Sequence, residues 1–536
     1  MTNPTYNLVD ESWIPCVMCN DATTRLLSIR AALNLAPEIV EIDDPSPLVT
    51  AALYRLLLAI LHRCYGPADA KEWRTLWSRR RFDEQVNTYL DQWKHRFDLF
   101  DPEYPFYQVH DIPVQYAKPI AQLAPELASG NNATLWDHTT HMSALAFTPE
   151  QAARYLIALQ AFALGGLVSH RQDEKEHKSA TGAPLAGSAV ALVRGPTLWA
   201  TLMLNLHRYD GQEEPFPTQT DDMPAWERNT ATRPVARELT GYLDLLTWQS
   251  RQVQLYPEDN PPVVRHVAIM KGNQFPEVGY RHGKETMLAF RRNTEAKGEQ
   301  DPWPAVAFRE ERDIWRDSLV LFQSLHNQRS RPRMLDWLAL LVERGVLDDV
   351  QMALDLFGLG SDQAKPLFWR HERLPLPLKY LNEELLLEQV RISLQWAEQG
   401  KDMLNQGLRQ LAERSIVPYR SLDGVSKDDR DRAKAIVKGW GAERQYWAHL
   451  DLPFRHFLEA LPADYDPAGQ LYGSRVMPQW TRVVRQAAHE SFDEVAQGLD
   501  LTGRWLRAVA LVEPAFMSRL RTVGIPEQAA VDGIAL

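Results

Sequence analysis

The chain has 536 residues, 45% hydrophobic and 24% charged, the balance of a soluble globular protein of about two to four domains. A formal net charge of -11 excludes a protein that coats nucleic acid unaided, so any such contact must use local basic patches or basic partners. The three cysteines, Cys16, Cys19 and Cys64, exclude a disulfide framework, and the lone CxxC lacks the second pair a four-cysteine zinc site needs.

Residues 1–7 have no basic or apolar leader, and the longest apolar run, Leu53–Leu61, is short and broken by Arg55. Both features predict a cytoplasmic protein with no membrane contact. Residues 4–36 predict short strands and turns. Asp44-Pro45-Ser46-Pro47 opens a helix with Leu48, Ala52, Leu56, Ala59 and Ile60 on one face. Two more helices are predicted near 69–77 and 82–97. From 112 to 147 periodicity fades, and Gly130–His138 forms part of a long polar loop, a length that marks a functional or disordered segment.

Thr148-Pro149-Glu150-Gln151 starts a helix that runs to Leu164 and meets Gly165-Gly166. His170–Lys178 is a charge run, Ala189–Val193 a buried strand, and Thr197–Leu206 a strand or short helix. Val263–Met270 and Thr286–Phe290 have β-like composition, and Trp303 sits between Pro302 and Pro304. Helices are expected to dominate from about Arg309. After Lys379, helical runs from Asn382, from Ser426 through Trp447, over Trp480–Val495 and over Leu501–Leu520 predict an antiparallel bundle. The expected fold class is α+β. A mixed, mostly helical domain with small β-sheets spans 1–379, and a C-terminal four-helix bundle spans 380–536.

One stretch stands out. Gly358–Pro366 separates an apolar, helix-like run ending at Phe357 from Phe368-Trp369-Arg370-His371. Two glycines loosen the backbone and a proline stiffens its exit. Such a loop is either a plain connector or a probe that enters a groove.

Catalytic signals are sparse. No phosphate loop, dinucleotide fingerprint or nucleophile elbow is present. Asp137, His138 and His141, with His110, have the residue types of a metal site, so a metal-dependent hydrolase is the alternative function class. Arginines beside aromatics, as in Trp73-Arg74, Phe290-Arg291-Arg292 and Phe368-Trp369-Arg370, suit phosphate contacts and base stacking. Amphipathic helices that snorkel arginines past core tryptophans produce the same pattern.

Short segments in consistent order carry a family likeness. They include Asn7–Pro15, Tyr104-Pro105-Phe106-Tyr107-Gln108, Val193-Arg194-Gly195, Leu246-Thr247-Trp248-Gln249, Trp303-Pro304 and Glu443-Arg444-Gln445-Tyr446-Trp447. Together the chain resembles the CasA family, the large subunits of type I-E CRISPR Cascade surveillance complexes. The resemblance implies a non-catalytic DNA-recognition subunit without a cofactor. Its implied partners are a guide RNA, target duplex DNA bearing a protospacer-adjacent motif (PAM), the other Cascade subunits and a helicase–nuclease.

The resemblance also implies site residues. Leu135, Trp136, Asp137 and His138 match only loosely a loop that contacts the guide-RNA 5′ handle. Ala163, Leu164, Gly165 and Gly166 fall on a glycine loop that approaches the PAM, with Ala163 replacing a glycine. Gly360, Ser361, Asp362 and Gln363 fall on a duplex-opening stretch, with Gln363 as the wedge. Arg291, Arg292 and Lys297 lie in the neighbourhood of a DNA-contacting lysine finger. A cysteine cluster seen in some relatives is missing.

Overall fold

The computed structural model describes residues 4–124, 145–169, 179–209, 221–229, 236–258, 262–275, 279–298, 300–323, 330–348, 350–362, 365–417, 426–467, 469, 471–499 and 503–525. Two compact units divide it: Met1–Glu310 with Val320–Leu374, and Glu311–Leu319 with Pro375–Leu536.

The first unit opens with β1 (Ile14–Met18), β2 (Thr24–Leu27), α1 (Ile29–Asn34) and β3 (Ile39–Ile42), whose strands form an antiparallel sheet ordered β2-β1-β3. Pro47 then begins α2 (Pro47–Cys64), where its fixed φ and missing N–H cost nothing. Every residue from Leu48 to His62 is buried. A helix apolar all round belongs inside a core, so α2 is enclosed although its length and composition would allow it to cross a membrane. Its buried cation, Arg55, is 2% exposed and pairs with Glu285 at 2.8 Å. Helices α3 (Ala70–Ser78) and α4 (Glu84–Trp93) start where Asp69 and Asp83 accept from backbone N–H groups of the first turn.

Strand β4 (Lys118–Pro119) precedes α5 (Pro149–Phe162), where Gln151 accepts from the Thr148 backbone N–H at 3.1 Å. A short pair, β5 (Gly166–Leu167) and β6 (Ser179–Ala180), leads to the fully buried β7 (Ala189–Arg194) and α6 (Leu198–Asn205). Then come α7 (Tyr242–Leu246), β8 (Arg251–Glu258) and β9 (Val263–Lys271), which give a sheet ordered β4-β9-β8. Thr286–Phe290, expected to be β-like, makes only isolated bridges, Leu288 to Val190 and Phe290 to Ala305.

After α8 (Ser318–Phe322) and α9 (Arg333–Glu343) the expectation of continuous helix fails. Ala353–Phe357 is part of a strand, β10 (Ala353–Asp362), followed by β11 (Lys365–Pro375) in a sheet ordered β11-β10-β7. A short apolar run buried on both faces has no period that separates strand from helix. Its partner decides the matter: β10 pairs with β7 from Ala353 opposite Arg194 to Gly358 opposite Ala189.

Two histidines in this unit make its stability depend on pH. The rings of His62 and His207 lie 4.8 Å apart. Burial holds His62 well below its ordinary value and pulls His207 down to about 4. Both are therefore neutral in the folded state, whereas an unfolded histidine takes up a proton near pH 6.5. Their stability is intact above that value and lost as pH falls below it, because the unfolded chain binds the protons first. Going from about pH 7 to about pH 5 should cost about 2 kcal/mol per histidine. Urea titrations across that range measure the loss, and a flat profile would contradict the neutral pair.

The second unit contains α10 (Glu384–Ile416), α11 (Lys427–Trp440), α12 (Ala442–Ala460), the small pair β12 (Tyr465–Asp466) and β13 (Leu471–Tyr472), α13 (Val476–Gly498) and α14 (Gly503–Leu520). Helix α10 packs on α11, α13 and α14, and α12 packs on α13. The helix expected from Ser426 through Trp447 is two helices. Gly441 at φ 66 adopts the left-handed conformation that ends α11 and starts α12. Buried donors tie the helices: Tyr446 donates to the Ala397 carbonyl at 2.6 Å and Trp480 to that of Ser393 at 2.9 Å. Segment 311–319 joins this unit through Trp315, whose ring is 4.5 Å from Phe454, and through Arg316, which lies 3.6 Å over Trp447 and bonds Glu398.

Candidate nucleic-acid interface

The glycine loop leaves α5 at Ala163, whose carbonyl accepts from Ala183 at 2.8 Å. The next carbonyl, of Leu164, accepts from the Arg251 guanidinium at 2.7 Å. Gly165 then faces Gly182 so closely that a Cβ would sit 3.1 Å from the Gly182 nitrogen. Gly166 has φ 144, a conformation open to glycine and strained for other residues. The chain continues into β5, where Leu167 is 85% exposed, and Ser169 bridges Met270 near the end of β9.

Two buried side chains set this loop. Gln160, the third-last residue of α5, bonds the backbone of Arg251 on both sides, donating to its carbonyl at 2.8 Å and accepting from its N–H at 2.9 Å. Arg251 also donates to the carbonyls of Thr181 and Ser250. Burial pulls its pKa down to about 10, so it remains charged at neutral pH. Directly across the ladder from Arg251 stands Lys271, the last residue of β9. Sequence reasoning did not single out Lys271, which directly follows the predicted run Val263–Met270 and precedes Gly272.

The opening stretch is not a loose loop over 358–366 but part of a long hairpin. Gly358 and Gly360 lie within β10, and Pro366 lies in β11, an edge strand where a missing N–H is tolerated. The glycines make room. A Cβ on Gly358 would collide with the Ser188 carbonyl and the Phe308 ring, and one on Gly360 with the Phe368 ring. Gln363 and Ala364 are the two residues between the strands and lie outside the described residues, as do the side chains of Ser361 and Asp362.

An ionic cluster anchors the hairpin base. Asp355 of β10 is 1% exposed and meets Arg373 at 2.6 Å, with His371 and Arg194 each at 3.4 Å. Burial pushes the Asp355 carboxyl up, but bonds from His371 and Arg373 outweigh it and leave the pKa below the ordinary value. Glu41 bonds Arg373 and Arg194 as well. Leu367 and Trp369 of β11 are 54% and 40% exposed.

Arg291, Arg292 and Lys297 are exposed on a separate segment, tied by backbone bonds to Pro302 and Pro304. Leu135, Trp136, Asp137 and His138 lie outside the described residues, and so does His141. His110 is described and exposed, with none of its expected metal-ligand partners among the described residues. Among the described residues a possible ligand set is His489, Asp493 and Glu513 of the helical unit, all partly exposed. Cys16 is buried and Cys19 exposed. The aromatic Trp73 is buried, and Arg80 lies over Trp77 and Trp199, so that cluster is a snorkelling one.

The profile of the family described as CRISPR-associated protein Cse1 matches residues 7–491. The chain belongs to the Cse1 family. Its likeness to the CRISPR-associated protein CasA/Cse1 of Thermus thermophilus is 33% identity, covering 97% of this chain and 98% of that protein. The crystal structure of Cse1 from Acidimicrobium ferrooxidans is similar to this family member with a TM-score of 0.78 and 26% identity, covering 98% and 99% of the two chains. A chain of a structure described as a CRISPR RNA-guided surveillance complex shares the fold at TM-score 0.74 and 20% identity, covering 97% of this chain and 100% of that one.

Proposed function

We propose that this Cse1-family chain is a non-catalytic DNA-recognition subunit of an RNA-guided CRISPR surveillance complex. In this reading Leu135–His138 docks on the guide-RNA 5′ handle and neighbouring subunits. Ala163–Gly166 approaches the PAM from the minor groove, and Gln363 wedges open the adjacent base pairs. The chain then helps hold the displaced strand and recruit a helicase–nuclease, in the cytoplasm.

The observation that carries the reading is Gln363's place in the chain, in the two-residue link between two long paired strands whose base is fixed by Asp355, His371 and Arg373. The glycine loop supports it, because the bare backbone at Gly165-Gly166 can approach base edges, and the minor-groove code is degenerate enough to admit several PAM sequences. Lys271, one strand away from the residue that holds Leu164, joins Arg291, Arg292 and Lys297 as a basic group proposed to contact the PAM duplex. The net charge of -11 fits a subunit whose partners grip most of the RNA.

The test is R-loop formation by a guide-loaded complex assembled with and without this chain, on duplexes with and without a PAM. The chain should be required, and only on PAM-bearing duplex. Equal R-loop formation in its absence would overturn the proposal.

A further inference from the structure

A cavity of about 260 Å³ opens in the first unit beside the glycine loop, and the proposed function makes no use of it. Two segments that are far apart in the chain meet there, Tyr104–Val109 and Gln249–Val253. Four arginines line it, Arg96, Arg228, Arg237 and Arg251, against a single carboxylate, Asp244. That carboxylate is already committed, because Arg237 holds both its oxygens at 2.6 and 2.7 Å.

Among the described residues neither Arg96 nor Arg251 has a carboxylate within ion-pair distance, and Asp101 acts on Arg96 only from farther away. Arg96 is 8% exposed, and its hydrogen bond is to the Arg228 carbonyl at 2.7 Å. Arg251 is 3% exposed and bonds carbonyls alone. Burial depresses both groups. Holding guanidinium groups out of water without a carboxylate is costly, and an anion in the cavity offsets that cost.

The wall also carries aromatic and amide side chains. The Arg96 guanidinium lies 4.5 Å over the Tyr104 ring, and Tyr107 stacks toward Trp226 at 6.4 Å. Asn229, Gln252 and Asn273 add groups that both donate and accept, which suits the edge of a base. Tyr107 itself sits at φ 57, a left-handed conformation that a bulky side chain adopts only when its surroundings enforce it, and such strain gathers at ligand sites.

We propose that this cavity binds one nucleotide unit, its phosphate on Arg96 and its base among Tyr104, Tyr107 and Trp226. A phosphate alone would leave the aromatic wall unused, and a nucleoside alone would leave the arginines unpaired. The nucleotide is either free or the 5′-phosphorylated end of a strand. The inference stands apart from duplex opening, since it concerns a different site and is read by direct binding.

Calorimetric titration of the full chain tests it, with the nucleoside 5′-monophosphates, the matching nucleosides, inorganic phosphate and short 5′-phosphorylated single strands as probes. At least one monophosphate or phosphorylated strand should bind with Kd below about 1 mM, and nucleoside or phosphate alone about tenfold more weakly. Arg96→Met should weaken binding by about tenfold to a hundredfold. Tyr104→Ala, at a partly exposed position, should weaken it severalfold and carries the test if Arg96→Met does not fold. Tighter binding of the strand than of the monophosphate assigns the site to a nucleic-acid end, and equal binding assigns it to a free nucleotide. No saturable binding of either class, or affinities unchanged in both variants, overturns the inference.

Discussion

Gln363→Ala should slow R-loop formation on a PAM-bearing duplex by about tenfold to a hundredfold while leaving assembly with the guide RNA unchanged. Unstacking one base step costs on the order of a few kcal/mol. Growth of the RNA–DNA heteroduplex is otherwise nearly balanced, since it forms about as many stacked pairs as it breaks. Initiation is then the step a small side chain can influence. If the glutamine supplies about 1.4 to 2.8 kcal/mol of it, the rate falls by the stated factors. A duplex with unpaired bases next to the PAM needs no wedge, so the variant should act on it like the parent chain. Stopped-flow measurement on the paired and pre-opened duplexes separates the cases. Equal rates on paired duplex would rule out the wedge, and an equal loss on both duplexes would place the defect elsewhere.

The second large effect concerns stability. Glu285→Ala should destabilise the first unit by about 3–5 kcal/mol, because it strands the Arg55 guanidinium inside the core. Arg55 is 2% exposed and Glu285 0%. Burial by itself would lower the arginine pKa, but the Glu285 charge and hydrogen bond outweigh it and hold the pKa above the ordinary value. The carbonyls of Leu245 and Leu246, at 2.9 and 3.2 Å, satisfy donors but carry no full charge. Because α2 bears Arg55 and packs against α5 and α7, loss of the pair loosens the helix from which the glycine loop departs. Glu285→Gln, which keeps one acceptor, should cost less than the alanine. Denaturant titration measures both, and a loss under about 1 kcal/mol for the alanine variant would mean that the carbonyls alone compensate Arg55.

Local signals predicted much of this chain. Pro47 and the Thr148-Pro149 start mark α2 and α5 because proline and a capping group act within one helical turn. The unbroken apolar run of Ala189–Val193 is the buried strand β7. The ordered short segments pointed to the family, and the α+β class followed from the mixture of helical and strand-like periods.

Other features depended on partners distant in sequence. The run Ala353–Phe357 became a strand because β7 supplies its ladder. Lys271 stands near the glycine loop through pairing of β9 with β8 and a bridge to Ser169. The cavity forms where two remote segments meet, so neither segment signals it alone. The stretch from Gly358 to Pro366 illustrates the division. Its composition by itself determined that the chain there is unhindered and polar at its tip. Only the tertiary structure decided that its glycines admit the Ser188 carbonyl and the rings of Phe308 and Phe368 and do not form a turn. A missing side chain permits both a bend and a close approach, and the choice belongs to the atoms that fill the space.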